Sequence, residues 1–126
     1  MARILIVDDD RSLTHLTKII LVDEGYEVAV AKDVNQAMEE IAKKKPDLIL
    51  MDVVMPEVSG AEAVSMLQKK RHLKNIPIIF LTGLITNKEL DLEEKGISVN
   101  GKIYQAIGKP FEISYLINAI KNKIES

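Results

Sequence analysis

A chain of 126 residues and 14.1 kDa has the size of one ordinary domain and can bury a core of its own. Hydrophobic residues at 47% and charged residues at 29% exclude a disordered chain, and a net charge of -2 with a pI near 5.7 leaves no overall basic footprint for nucleic acid. The absence of cysteine excludes disulfides, a thiol nucleophile and a cysteine-based zinc site, and fits a reducing compartment. No apolar run approaches the roughly 18 residues that a membrane span needs. The apolar run Ile4–Val7 is stopped by acids and does not read as a signal peptide, so the cytoplasm is the expected location, with no membrane partner.

The chain opens MARILIVDDDRS: a greasy strand over 3–7 that runs into Asp8, Asp9 and Asp10. A first helix follows, with Leu13, Leu16 and Ile20 on one face and Gly25 at its end. EVAVA (27–31) reads as the second strand. Asp33, with Gln36 three residues on, starts a second helix that lines up Val34, Ala37, Met38 and Ile41. Lys43–Lys45 closes it as a charge run favourable to the helix dipole. DLILM (47–51) and PIIFL (77–81) are continuously apolar, as strands buried on both faces should be. Between them Ser59 and Glu62 cap a third helix with Gly60, Val64 and Leu67 on one face. That helix ends in the basic run KKRHLK at 69–74, read as a solvated helix end. Thr86 and Glu89 mark a short, charged fourth helix over about 87–95, with Gly96 where it should stop. Asn100–Gly101 between two apolar runs predicts a hairpin of 97–99 against 102–104, leading into the fifth strand KIYQAI (102–107). The last helix places Ile113, Leu116, Ile117, Ile120 and Ile124 on one face. Strands alternating with helices define an α/β domain with a mostly parallel, doubly wound sheet covered on both faces.

In such a sheet, ligands bind outside the carboxyl ends of the strands. Asp8, Asp9 and Asp10 stand after the first strand, Asp52 after the third, Thr82 and Gly83 after the fourth, Lys109 and Pro110 after the fifth. Each alone has a bland explanation: a strand-end Asp is most often a helix cap, a Thr a turn residue, a Lys before Pro a surface residue. Their convergence from four strands is much less expected by chance. Oxygen ligands without His or Cys suit Mg²⁺, or Mn²⁺ in its place, which keeps waters and takes carboxylates plus a phosphate. A divalent ion and a lysine offset the repulsion between an attacking carboxylate and a phosphoryl group. A hydroxyl and a small glycine accommodate the remaining oxygens. These groups together describe an aspartyl-phosphate site.

ILIVDDD, LMDVVMPEVSG, IIFLTG and GKPF together resemble the receiver domains of two-component response regulators, of the chemotaxis-regulator type. The resemblance spans nearly all of residues 1–126 as a single domain. It implies a flavodoxin-like fold of five parallel strands in the order 2-1-3-4-5 with five helices. It implies that Asp52 is the phosphoacceptor, that Asp8, Asp9, Asp52 and the Val54 backbone carbonyl hold the metal with Asp9 the more direct ligand, and that Thr82 and Lys109 contact the phosphoryl group. It implies a signalling switch with no separate substrate, which assists its own phosphorylation and dephosphorylation. The donor would be a sensor histidine kinase or a histidine phosphotransfer protein. A downstream protein would be met through the face of the fourth helix, fifth strand and fifth helix, with phosphorylation-linked homodimers also compatible and no direct contact with nucleic acid.

The chain departs from the family at Ala106, three residues before Lys109, where the family carries a Tyr or Phe that reports phosphorylation. Tyr104 stands on the same strand face about 7 Å away. The stretch from Gly96 to Lys109 is also long, and together these changes point to an unusual output surface. Apolar Val54 and Leu84 at positions that tune phosphoryl loss imply slow hydrolysis. Two competing readings remain. One is a haloacid-dehalogenase-type phosphohydrolase using Asp8 and Asp10, disfavoured by Arg11–Ser12 after the acids and by the lack of a second acidic pair. The other is a receiver-like binding module that works without phosphorylation. A flavin carrier is disfavoured because the acidic first loop would repel the cofactor phosphate. His15 and His72 read as surface residues with no metal-ligand spacing between them.

Overall fold

The computed structural model describes residues 1–55, 57–83 and 96–125. Pro56, Leu84, the Thr86 cap and the candidate helix over about 87–95 lie outside these described residues. The described elements run β1 (Arg3–Val7), α1 (Arg11–Asp23), β2 (Glu27–Ala31), α2 (Val34–Lys43), β3 (Leu48–Asp52), α3 (Gly60–Gln68), β4 (Ile78–Thr82), β5 (Gly96–Val99), β6 (Lys102–Gly108) and α4 (Ile113–Glu125). The sheet has six strands in the order β2-β1-β3-β4-β6-β5. The first five positions are parallel and follow the expected order, with β6 as the family's fifth strand. The sixth, β5, is the hairpin partner, antiparallel to β6 at the edge. The expected count of five strands therefore rises to six, and four helices are described where five were expected.

The alternation of side chains along the strands makes two cores. Leu5, Val7, Ile49, Met51, Ile78, Phe80, Tyr104 and Ala106 face α2 and α3 on one side. Ile4, Ile6, Leu48, Leu50, Ile79, Leu81 and Ile107 face α1 and α4 on the other. Every residue of β3 and β4 is buried, which is why those two segments read as unbroken apolar runs. Both strands end one residue later than the sequence reading, on Asp52 and Thr82 themselves. These two functional candidates are thus held in the ladder and not in loops.

The caps form as the sequence implies. Asp10, Asp33 and Ser59 accept from the backbone N–H groups of Leu13, Gln36 and Glu62. Gly25, at φ 99°, ends α1 in a Schellman turn, with Tyr26 N–H donating to Leu21 and Gly25 N–H to Val22. One expectation changes. α1 buries Thr14, Thr17 and Leu21 and leaves Leu16 and Ile19 about half exposed, at 52% and 53%. The threonines can be buried because their hydroxyls donate to the carbonyls of Asp10 and Leu13, one turn back. Gly96 opens β5 opposite Gln105, and a Cβ there would overlap the Tyr104 carbonyl, so a close strand approach selects glycine here.

Asn100 and Gly101, at φ 51° and 83°, form the two-residue turn that joins β5 to β6. This hairpin is pinned to α3. The Gln68 amide donates to the Tyr104 hydroxyl at 2.8 Å and to the Val99 carbonyl at 3.1 Å, and the Asn100 amide donates to Ser65 Oγ at 2.9 Å. Tyr104 is buried and packs edge-on against Phe80, with ring centroids 5.9 Å apart. Tyr104→Phe keeps the ring and removes one acceptor; chemical denaturation should show a loss of about 1 kcal/mol.

Candidate functional site

The site is assembled at the carboxyl edge of the three central strands. Asp8 follows β1 directly, and its N–H donates to the Ala31 carbonyl, continuing the β1–β2 pairing by one residue. Asp52 ends β3, between β1 and β4. Thr82 ends β4 and is buried. The Lys109 N–H donates to the Thr82 carbonyl at 2.7 Å, extending the β4–β6 pairing and fixing where the lysine chain departs. The Lys109–Pro110 peptide is cis.

Carboxylate oxygens of Asp8, Asp9 and Asp52 lie within 4.8 Å of one another. Asp8 and Asp52 are buried, while Asp9 is exposed at the mouth. Lys109 Nζ stands 2.6 Å from Asp8 Oδ2 and 3.4 Å from Asp52 Oδ1. Among the described residues no other cation pairs with these acids, so three carboxylates meet one ammonium and two negative charges stay uncompensated. Burial pushes the Asp52 carboxyl up to about 6, the charge of Asp8 adds to that, and Lys109 and the Val54 N–H only partly oppose it. Burial pulls Lys109 down, but its ion pairs with Asp8 and Asp52 outweigh this and hold it above its ordinary value.

The three adjacent acids divide as the helix start requires. Asp10 caps α1, and its N–H donates to Asp8 Oδ1 at 3.0 Å, so it serves the turn and stands outside the cluster. A dehalogenase-type pairing of Asp8 with Asp10 therefore finds no support in the geometry. Val54 is 56% exposed at the rim, and its N–H bonds to the Asp52 carboxylate. A Cβ added to Gly83 would meet open space, so packing does not by itself demand glycine there.

Gly60 matters more to the site than the sequence reading allowed. In the sequence it is one member of an apolar helix face and the last residue of LMDVVMPEVSG. Its N–H donates to the Val53 carbonyl at 2.9 Å, and a Cβ on it would overlap the Asp52 carbonyl oxygen. α3 can therefore begin directly against the backbone of Asp52 only because residue 60 has no side chain. The Ser59 cap immediately before it was the available sequence signal that the helix started there.

The geometry is matched by relatedness. The model of the response regulator receiver domain family matches residues 4–121. The chain is 38% identical over 119 residues to the CAI-1 autoinducer sensor kinase/phosphatase CqsS of Vibrio cholerae, covering 94% of this chain and 17% of that protein. It is 31% identical over 122 residues to the DNA-binding response regulator MtrA of Mycolicibacterium paratuberculosis, covering 97% of this chain and 51% of MtrA. It thus spans only about a sixth and a half of these two relatives. Among solved structures, the Vibrio cholerae chemotaxis protein CheY4 superposes with a TM-score of 0.81 at 30% identity, covering 97% of this chain and 98% of that one. The signal receiver domain of a Syntrophus aciditrophicus histidine kinase gives 0.82 at 27% identity, covering 99% and 91%. The chain belongs to the response regulator receiver domain family of two-component signalling. Receiver domains are signalling switches that bind Mg²⁺ in an acidic pocket and take phosphoryl groups from sensor histidine kinases. No described helix is long and apolar enough to cross a membrane.

Two measurements probe this geometry. Gly60→Ala should cost about 3 kcal/mol in urea denaturation, because the overlap is with backbone that cannot rotate away. Asp52, raised to about 6 from an ordinary 3.8, favours folding when protonated, so that contribution is full below pH 4 and is lost as pH rises through 6. Asp52→Asn should therefore melt higher than the parent at pH 7 without divalent ions, with the advantage shrinking toward pH 4 and on adding Mg²⁺.

Proposed function

We propose that this domain accepts a phosphoryl group on Asp52 from a phosphohistidine donor, in a Mg²⁺-dependent step, and that the modified site changes which partner the domain binds. The observation that carries the proposal is the Asp8–Asp9–Asp52 cluster, with Asp8 and Asp52 buried, Asp9 at the mouth and Lys109 against it. A divalent cation fits because the donors are hard oxygens and, among the described residues, Lys109 alone pairs with these three acids. Asp8, Asp9, Asp52 and the Val54 carbonyl would hold it, and it would supply charge neutralisation at the phosphoryl oxygens.

A carboxylate oxygen of Asp52 attacks the phosphorus, the new O–P bond forms, and the P–N bond to the donor imidazole breaks with its electron pair returning to nitrogen. Asp52 must be ionised to attack, and a cation beside it favours that form. Lys109 needs only a short swing from Asp8 to pair with a phosphoryl oxygen. The Thr82 hydroxyl, at the end of the adjacent strand, donates to another. Gly83, without a side chain, lets a phosphoryl oxygen approach the backbone. Beside the site, a groove of about 410 Å³ between Leu13, Leu16 and Phe111 runs onto the exposed Leu16 and Ile19 of α1. It suits a helix of a sensor kinase or phosphotransfer protein that presents its histidine to Asp52.

The output reading rests on β6 and α4, the described parts of the family's partner face. Ala106 is buried where the family carries its reporter ring, and Tyr104 is tied to Gln68 and Phe80. Tyr104 supports the fold, and the coupling runs through other groups of this face to a downstream protein or a second copy. The apolar rim at Val54 favours a long-lived phosphoryl group by disfavouring an attacking water.

Incubation with acetyl phosphate and Mg²⁺ should add one phosphoryl group, located at Asp52 by borohydride reduction and mass spectrometry. Asp52→Asn should take up none, chelation by EDTA should stop the reaction, and Lys109→Ala should slow it at least tenfold, a loss on the scale of one positioned charge. Label on Asp8 would reject the proposal, and full partner binding by Asp52→Asn would favour a module that works without phosphorylation.

A further inference from the structure

The two basic runs that the phosphoryl site leaves unused meet in the folded chain. Lys43–Lys45 closes α2 and leads into β3; residues 69–74 follow α3 and lead into β4. Both lie at the amino edge of the parallel sheet, opposite Asp52. Between them lies a groove of about 440 Å³, lined by Met38, Ile41, Met66 and Leu73, with the lysines and His72 on its rim. Lys43 and Lys44 are already paired, with Glu40 at 3.1 Å and Glu27 at 3.0 Å. Lys45 and Lys70 are exposed and form no ion pair among the described residues.

Helix-end lysines alone would be explained by the helix dipole. That account does not cover the apolar floor. Met66 is 42% exposed at the groove. The floor also presents no buried polar group to fix a small ligand, as a dedicated small-molecule pocket would. Two methionines from different helices make an adaptable surface that repacks around inserted side chains. The concave shape favours an inserted ridge over a flat lipid surface.

We infer that the α2–α3 groove docks an acidic amphipathic helix of a partner protein, with apolar side chains on Met38 and Met66 and carboxylates on Lys45 and Lys70. The groove lies on the edge of the sheet away from Asp52, so this partner and the phosphoryl donor can be bound at once.

The test is a methyl-detected NMR titration of the full chain with a synthetic helical peptide that carries Leu at i, i+3, i+4 and i+7 and Glu elsewhere. Saturable shifts of the Met38 and Met66 methyl signals are expected. A peptide of the same composition with the leucines scattered should not saturate them. Lys45→Glu/Lys70→Glu, both at exposed positions, should weaken binding by about tenfold, as loss of two partly exposed charge pairs implies. Met66→Glu should do the same by charging the floor, and circular dichroism checks the fold of each variant. The inference is overturned by unsaturable shifts, by equal binding of the scattered peptide, or by unchanged binding of whichever variant folds. It is likewise overturned if phosphatidylglycerol vesicles move these methyl signals and the peptide does not, which would assign the groove to a membrane surface.

Discussion

Two carboxylates buried side by side, with a third at the mouth, are the constraint around which this domain is organised. Asp8 and Asp52 repel each other, and burial makes their charge still less favourable. Lys109 holds them together from a strand that lies two places away from β3. No loop could keep this geometry unaided. The acids and the lysine are fixed because each continues, or directly follows, a strand of one parallel sheet whose central members are buried on both faces. The same excess of negative charge costs the fold stability and, in the function proposed above, would be relieved by a divalent cation and a phosphoryl group.

The rest of the architecture serves that edge. Gly60 brings the start of α3 against the Asp52 backbone, and the Asp10 cap turns α1 away immediately after Asp8 and Asp9. The far side of the sheet is treated differently. There the β5–β6 hairpin extends the sheet by one antiparallel strand and is locked to α3 through Gln68, Tyr104 and Asn100. Tyr104 lies two residues from Ala106 on the same strand face, yet its hydroxyl is engaged by Gln68 and its ring by Phe80. The long stretch from Gly96 to Lys109 thus takes the form of an added edge strand, with Tyr104 helping to hold it.

Much of this was legible in the residues themselves. The strands were visible because burial on both faces demands unbroken apolar runs, and Asn100–Gly101 marked the hairpin because few residues adopt two successive positive φ angles. Helix starts were visible because Asp33 and Ser59 satisfy backbone donors only locally. The face of α1 was not legible. Leu13, Leu16 and Ile20 make the better apolar pattern, but Thr14 and Thr17 can hide their hydroxyls against the preceding turn, and the helix settles on them.

The sequence by itself determined the parallel α/β class, the strand order through its family motifs, and the set of groups Asp8, Asp9, Asp52, Thr82 and Lys109. Those are properties of local pattern and chemistry, which neighbours along the chain suffice to express. Tertiary structure alone decided that Lys109 leans first on Asp8 and that Gly60 must lack a side chain. It also decided that two basic runs meet across one apolar groove. Each of these depends on distances between residues far apart in the chain, and such distances exist only once the sheet has closed.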